Sequence, residues 1–561
     1  MIHGKGPLLS VDVGQRTTDE ENIDDTLQSF IGGRGVGTKL GHERIPFDAD
    51  PFGPENRLIF TTGPLQTSTM SFTGRMNCTG LSPLTDGLLS SNAGGFMSRP
   101  FADTGYAGVE ITGESDDLVG VHVRDDGVTF EAVDDLEGAT VDEVIEYIDE
   151  EHDLEDSNTA IVGPAGENEV RFASIITSEH RAFGRGGLGA VLGAKGVKFL
   201  TFDGDSRPEI ELDEEVTEAI HQEAATSDSP MKDAGTVSVS SYANAVEAIP
   251  TKYFEELSYD KMEDIGSSAV IDHKYKKGTC SSCAFACKLP TKDEETGFTT
   301  EGPEYETVMA FGSNALVDDF VDIMKANDKC DELGMDTISC GDTISAYLAA
   351  NDEFGNEELM LDLVEKIAYR EEEGDLLAEG IDRIHDELGV ENWTMKGMEF
   401  SAHDGRTLNG QGLSFATSNR GADHMYAEMY NLEYPLVSPN EALPKEGVDG
   451  KSETLIEHEN LNAVKDSGVL CKFSFSNMGE ERYEALFQTD YEHLLDVGAR
   501  IVELERHFHN ERGKDRADDE ALPYEIEGLE DELTNYYDLR GWNEDGTVPA
   551  ANVRGSEAAG D

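Results

Sequence analysis

The run Cys280-Ser-Ser-Cys283-Ala-Phe-Ala-Cys287 is the tightest constraint on this chain, because its C-x2-C-x3-C spacing obliges one short loop to fold around a common point. Thiolates so spaced can wrap three corners of an iron–sulfur cube, with a fourth ligand supplied from a distant part of the chain. Structural zinc sites instead pair one such unit with a second Cys or His pair, and none follows at the expected distance. Plain packing of small side chains is the third reading. Lys276, Lys277 and Lys288 flank the array. Four further cysteines, Cys78, Cys330, Cys340 and Cys471, are candidates for the fourth corner. Cys330 and Cys340 bracket a helical stretch, the setting of inert core thiols. Cys471 ends the turn-forming run Asp466-Ser-Gly-Val-Leu-Cys471, which can hold a thiolate at a loop tip. Seven cysteines in 561 residues are too few for a disulfide framework.

Any fold must also disperse 116 acidic side chains against 43 Lys plus Arg, a formal net charge of -73 spread along the whole chain. Such a surface excludes a duplex nucleic-acid partner, which requires a basic stripe. Disorder and adaptation to concentrated salt both produce this composition. Apolar runs such as Arg57-Leu-Ile-Phe-Thr-Thr and Ala160-Ile-Val-Gly favour a folded protein from a salt-loving cell. The N-terminus lacks the pattern of a secretory signal, and no run approaches the roughly 18 apolar residues of a membrane helix. A cytoplasmic protein without a membrane partner is expected.

At about 100–200 residues per domain the chain has room for two to four domains. Residues 1–206 read as strands and turns: around Leu58 to Thr62, Ala107 to Thr112 and Val197 to Phe202, and a hairpin from Val121 to Val133 turning at Asp125-Asp-Gly. Helical spacing follows near Val216 to Ala225, Phe320 to Leu333 and Leu359 to Tyr369. Boundaries near residues 206 and 400 divide the chain into 1–206, 207–400 and 401–561. The fold class is therefore α+β and multidomain, a β-rich N-terminal part followed by two mostly helical ones. Glu371-Glu-Glu-Gly-Asp is expected as a surface turn, and the tail from Arg516 as a loose wrapping segment. Two Gly-rich runs, Gly32-Gly-Arg-Gly-Val-Gly37 and Gly184-Arg-Gly-Gly-Leu-Gly-Ala-Val-Leu-Gly193, punctuate the strands. Neither follows the G-x-G-x-x-G pattern with a suitable acidic partner, so no flavin or nicotinamide fingerprint is evident. The run Asp331-Glu-Leu-Gly-Met-Asp336 resembles the run ending at Cys471. Each alone also suits a helix C-cap or an Asp N-cap.

Taken in order, Phe72-Thr-Gly-Arg75, Ser91-Asn92-Ala-Gly94-Gly95, Arg181-Ala-Phe-Gly184-Arg185, Glu301-Gly-Pro-Glu-Tyr305-Glu306-Thr and the two Asp runs resemble the aldehyde:ferredoxin oxidoreductase family over essentially the whole chain. The resemblance implies a tungsten or molybdenum bis-pterin cofactor between the β-rich domain and the helical domains, beside a [4Fe-4S] cluster on Cys280, Cys283, Cys287 and Cys471. Arg75, Asn92, Gly94, Gly95, Arg181, Ala182, Gly184 and Arg185 correspond to the N-terminal grip, with carbonyls of Asn92 and Ala182 offered to a Mg²⁺ bridging the pterin phosphates. Asp331, Met335, Asp336, Arg420, Asp466, Leu470, Cys471 and Lys472 correspond to the helical grip. Met335 replaces a leucine of the family pattern, and the run at Asp466 has its glycine one place early, which leaves the backbone of that arm open. Where some members carry an E-x-x-H iron site at a dimer contact, this chain has Lys325-Ala-Asn-Asp328, so no mononuclear iron is expected.

The resemblance further implies oxidation of an aldehyde to its acid, with Glu306 as general base toward water, His424 touching the aldehyde oxygen and Tyr305 orienting either. Ferredoxin is the implied acceptor, and a homodimer stays open. A relative acting on another substrate, such as an acid-reducing enzyme, and a non-catalytic metal-stabilised interaction protein are the alternatives.

Overall fold

Strand-forming runs of apolar and β-branched residues build the first two hundred positions into two six-stranded sheets. The computed structural model describes residues 1–178, 180–434 and 442–555. The first sheet contains β1 (Leu8–Asp12), β2 (Thr17–Glu21), β3 (Leu58–Thr61), β4 (Met76–Leu81), β5 (Leu88–Ala93) and β6 (Gly108–Thr112), in the order β2-β1-β6-β3-β4-β5. The second contains β7 (Val119–Arg124), β8 (Gly127–Ala132), β9 (Thr159–Val162), β10 (Ile175–Thr177), β11 (Arg181–Phe183) and β12 (Val197–Asp203), in the order β11-β10-β9-β12-β7-β8. The expected hairpin is β7–β8, with Arg124 opposite Gly127 across Asp125-Asp126. Val11, Phe60 and Ile111 of one sheet share a core with Val121, Phe183 and Phe202 of the other.

Helices cover these sheets and supply the remaining walls of the interior. α1 (Gly33–Arg44) runs alongside β4, and α2 (Val141–His152) covers the second sheet, its Val144 and Ile148 in one core with Ile161, Ile176 and Phe199. A Thr140–Glu143 capping box starts α2. α3 (Phe320–Leu333) and α4 (Thr337–Asn351) are joined by the first Asp turn. α5 (Ser452–Gly468) and α6 (Tyr491–Glu511) pack on each other and on α1 through Val464, Val497, Ile501, Val36 and Leu40. The fold is thus α+β, β-rich to residue 204 and mostly helical beyond.

Two expectations are corrected. The segment at Glu371 is a turn only at its exposed start. Glu373–Leu377 is a short helix whose buried Gly374 lies where a Cβ would stand 2.2 Å from the Lys366 carbonyl. The tail is not loose: Leu529–Arg540 is a helix with Leu533, Tyr536 and Tyr537 buried, and Arg540 pairs with Glu459 at 2.6 Å. Burial of the aromatic groups outweighs the acidic composition that suggested otherwise. Among the described residues no helix is long and apolar enough to cross a membrane.

Candidate active site

The two Asp turns share one backbone geometry. α3 stops at Gly334, in the left-handed region at φ 78°, and the N–H groups of Gly334 and Met335 both donate to the Cys330 carbonyl. α5 stops at Val469, at φ 57°, and the N–H groups of Val469 and Leu470 both donate to the Lys465 carbonyl. The early glycine therefore does not alter the arm. Val469 adopts the left-handed conformation itself, at a cost of about 1–2 kcal/mol. Gly468 is small for another reason, since its Cβ would stand 2.5 Å from the Phe487 ring. The first turn satisfies both capping readings at once, because Asp336 accepts from the Ser339 N–H as the N-cap of α4.

The second turn reaches a cavity of about 580 Å³, and the first stands behind its wall. On the β side it is lined by Arg75, Asn92, Arg181, Ala182, Gly184 and Arg185, and on the helical side by Tyr305, Glu306, Arg420, His424, Asp466, Cys471 and Lys472. The other expected residues do not line it and stand behind the wall. Asp336 Oδ2 lies 3.4 Å from Arg185 Nε. Gly94 lies against the cysteine loop, its Cβ position 3.3 Å from Cys280 Sγ, and the Gly95 carbonyl accepts from the Ser281 N–H at 2.9 Å. Met335 bridges to Ala173, and Leu470 is buried. Asp331 accepts from Asn327 Nδ2 at 3.0 Å, and burial pushes its carboxyl up to about 7.

The cavity wall carries an unusual set of buried polar atoms without hydrogen-bond partners: Arg181 Nε and Nη2, Arg185 Nε, Arg420 Nε, Asn92 Oδ1, and Nδ1 of both His403 and His424. Buried polar groups are nearly always paired. Guanidinium donors left over around one enclosed space fit a large ligand rich in anionic oxygens, which phosphate-bearing pterins are.

Beside the cavity the four expected thiols converge. Cys471 N–H donates to the Phe72 carbonyl at 2.8 Å, and Arg75 Nη1 lies 3.8 Å from Cys471 Sγ. Burial pushes the Cys287 thiol well up, and the charges of Cys471, Cys280 and Cys283 add to the effect. The remaining cysteines are elsewhere: Cys78 is buried within β4, and Cys330 is buried beside Cys340, to which it is hydrogen-bonded.

Glu306 is the second residue of a short helical turn, Tyr305–Val308, that follows a cis Gly302-Pro303 bond. Its Oε2 accepts the Ala402 N–H at 2.7 Å, while Oε1 has no hydrogen bond and lies 3.4 Å from His424 Nε2 and 3.6 Å from His403 Nε2. Tyr305 is buried with its hydroxyl 3.4 Å from the Ala402 carbonyl, so it braces the loop segment that holds Glu306. His403 stacks on Tyr430, ring centroids 3.7 Å apart and planes within 7°. Burial, then the nearness of His424, holds His403 well below the usual histidine range, so it is neutral.

Sequence reasoning missed His403, Tyr430, Tyr426 and Arg34. Arg34 grips Glu505 through two 2.8 Å bonds, reaches Asp466 at 3.3 Å and lies 3.4 Å over the Tyr426 ring. It belongs to the Gly-rich run at Gly32, whose glycines were visible but whose arginine had no motif to mark it.

A cavity so built suits an enzyme that works with a large anionic redox cofactor. The comparisons with known proteins agree. Residues 8–204 match the model of the aldehyde ferredoxin oxidoreductase N-terminal domain, and residues 211–555 that of its domains 2 and 3. The chain is 33% identical to the tungsten-containing aldehyde ferredoxin oxidoreductase of Thermococcus kodakarensis, over 94% of each chain. It is 26% identical to an aliphatic sulfonate oxidoreductase, WOR-like subunit, of Pyrococcus furiosus, over 89% of this chain and 85% of that one. The active-site complex of a benzoyl coenzyme A reductase bound to a 1,5-dienoyl-CoA superposes with a TM-score of 0.85 at 21% identity, covering 99% of this chain and 97% of that one, a likeness of fold. The chain belongs to the aldehyde ferredoxin oxidoreductase family and is an oxidoreductase.

Proposed function

We propose that this enzyme oxidises aldehydes to carboxylic acids at a tungsten (or molybdenum) bis-pterin centre and passes the electrons through a [4Fe-4S] cluster to ferredoxin. The observation that carries the reading is the meeting, at one cavity, of arginine N–H groups left without hydrogen bonds on Arg181, Arg185 and Arg420, a free Glu306 oxygen facing two histidines, and the Cys471 arm. Arg75, Arg181, Arg185 and Arg420 would hold the pterin phosphates, and the Asn92 and Ala182 carbonyls a bridging Mg²⁺. Asp466, Cys471 and Lys472 would grip from the other side, with Asp336 steadying Arg185. By the division 1–206, 207–400 and 401–561 the gripping residues fall in the first and third parts, and the middle part contributes Asp336 behind Arg185.

For the cysteines, spacing supports the cube over zinc. A tetrahedral zinc lies about 2.3 Å from each sulfur, which needs sulfurs about 3.8 Å apart. Among the described residues no three of these sulfurs lie within 4.8 Å of one another.

When bound, the metal–pterin group would supply a two-electron acceptor and the cluster a one-electron relay. The chain's own part is the management of water and protons. Glu306 Oε1 accepts a proton from the water whose oxygen bonds to the carbonyl carbon, and His424 Nε2 donates a hydrogen bond to the carbonyl oxygen. Each turnover would release two protons, one through Glu306 and the other from the aldehydic C–H bond to solvent. Neutral His403, fixed on Tyr430, limits the room beside Glu306. Lys276 and Lys277, at the lip of the cysteine loop in a chain of net charge -73, support an acidic carrier such as ferredoxin.

The test is anaerobic turnover of short and aromatic aldehydes with a low-potential viologen in labelled water. Acid carrying one water oxygen, with two viologens reduced per aldehyde, is expected. Metal-replete enzyme that ignores aldehydes but turns over a sulfonate or a thioester would replace this reading with the chemistry of the more distant relatives.

A further inference from the structure

The second sheet carries another group of ligand-type side chains, none of which lines the cavity: His122, Glu131 and His152. His122 lies on β7, paired with Thr201 of β12 on one side and Thr129 of β8 on the other. Glu131 is two residues further along β8, so it shares that face. His152 is the last residue of α2, the helix that packs on the same face. Topology alone therefore brings together two imidazoles and a carboxylate from two strands and a helix.

Their geometry is that of a ligand set. His122 Nε2 and His152 Nε2 lie 3.2 Å and 3.0 Å from the same oxygen, Glu131 Oε2, and the two rings are 4.4 Å apart. A tetrahedral zinc-type ion with bonds of about 2.0–2.2 Å needs ligand atoms about 3.3 Å apart. Small outward movements of the three side chains would admit it. The far side of each ligand is already fixed where that matters most: His122 Nδ1 is 2.8 Å from Thr201 Oγ1, and Glu131 Oε1 accepts from the Tyr147 hydroxyl at 2.6 Å. Such outer partners set the tautomer and aim of a metal-binding histidine, leaving Nε2 to ligate. Side-chain exposures of 24% for His152 and 30% for Glu131 leave a path for an ion and a water as fourth ligand.

We propose that His122, Glu131 and His152 form a structural site for a divalent cation of the zinc class, a staple between the C-terminal end of α2 and the sheet edge. Two nitrogens and one oxygen suit zinc, cobalt or nickel better than calcium or magnesium, which take oxygen ligands.

The test uses holoenzyme, so that the cysteine loop and the cavity are occupied, dialysed against a chelator in molar KCl to screen diffuse binding to surface carboxylates. Wild type should take up one more equivalent of Zn²⁺ than His152→Ala or Glu131→Gln, and Zn²⁺ should raise the unfolding temperature of wild type alone. Tyr147→Phe should retain the site with affinity reduced about 10–100-fold. In wild type, Co²⁺ should give tetrahedral d–d absorption without the sulfur charge-transfer bands that cysteine ligands produce. Equal Zn²⁺ stoichiometry and equal thermal response in wild type and both ligand variants, or a Co²⁺ spectrum lacking the tetrahedral bands, would overturn the proposal and leave the three residues as a hydrogen-bonded network.

Discussion

One Glu306 oxygen is occupied by the Ala402 N–H, and the other faces His424 and His403 with no hydrogen bond of its own. Gln at this position keeps the shape and can still accept the Ala402 N–H, but it cannot take a proton from water. Glu306→Gln should therefore retain its metals while slowing aldehyde oxidation by about 10²–10⁴. Turnover within a few-fold of wild type in a metal-replete variant would make Glu306 part of the scaffold. At the thiols, Cys283→Ala should lose most of the iron and visible absorbance, whereas Cys340→Ala, buried beside Cys330, should leave both unchanged. Unchanged iron in the first would remove Cys283 from the ligand set. The cysteine spacing was legible because one loop carries it. Glu306 and His424 stood out only through motifs shared with a family. His403 was not legible at all, since residues 306, 403 and 424 meet only after folding and the stack on Tyr430 leaves no periodic trace.

Helix ends position this cavity, and they explain which glycines are replaceable. Gly33 begins α1 at φ +36°, and a Cβ there would stand 2.1 Å from the Asp466 carbonyl. Gly33→Ala should push α1 off the second arm, lowering both the unfolding temperature and the retained tungsten or molybdenum. A variant matching wild type in both would show that the contact yields freely. Val469→Gly is the opposite case, because the turn already has the geometry a glycine prefers. Relief of about 1–2 kcal/mol of left-handed strain roughly offsets the loss of a buried valine, so stability should move by no more than about 1 kcal/mol with metal content intact. The β7–β8 hairpin, the strands around Leu58, Ala107 and Val197 and the helices near Val216, Phe320 and Leu359 were legible from period-two and helical spacing; α1, which begins inside the Gly-rich run at Gly32, and α2 were not. The helix Leu529–Arg540 was not, because its acidic face masked the buried Leu533, Tyr536 and Tyr537.

Across the whole molecule, a net charge of -73 makes ionic strength a structural variable. At about 0.1 M salt the Debye length is roughly 10 Å, so neighbouring carboxylates repel across the surface; at about 1 M it is roughly 3 Å. Dilution from molar salt to about 0.1 M should unfold the enzyme or release its cofactor, followed by circular dichroism and metal content. Equal stability in both would count against the salt-adapted reading. Lys276→Glu with Lys277→Glu should weaken ferredoxin reduction, less so as salt screens the contact, while viologen reduction stays unchanged. The proposal that a pterin-bound metal and an iron–sulfur cube share this chain is tested most directly by metals and acid-labile sulfide per chain in protein purified without oxygen from its native cell. Tungsten or molybdenum is expected together with about four iron and four sulfide. Zinc in the cysteine loop, or iron with neither tungsten nor molybdenum, would contradict it.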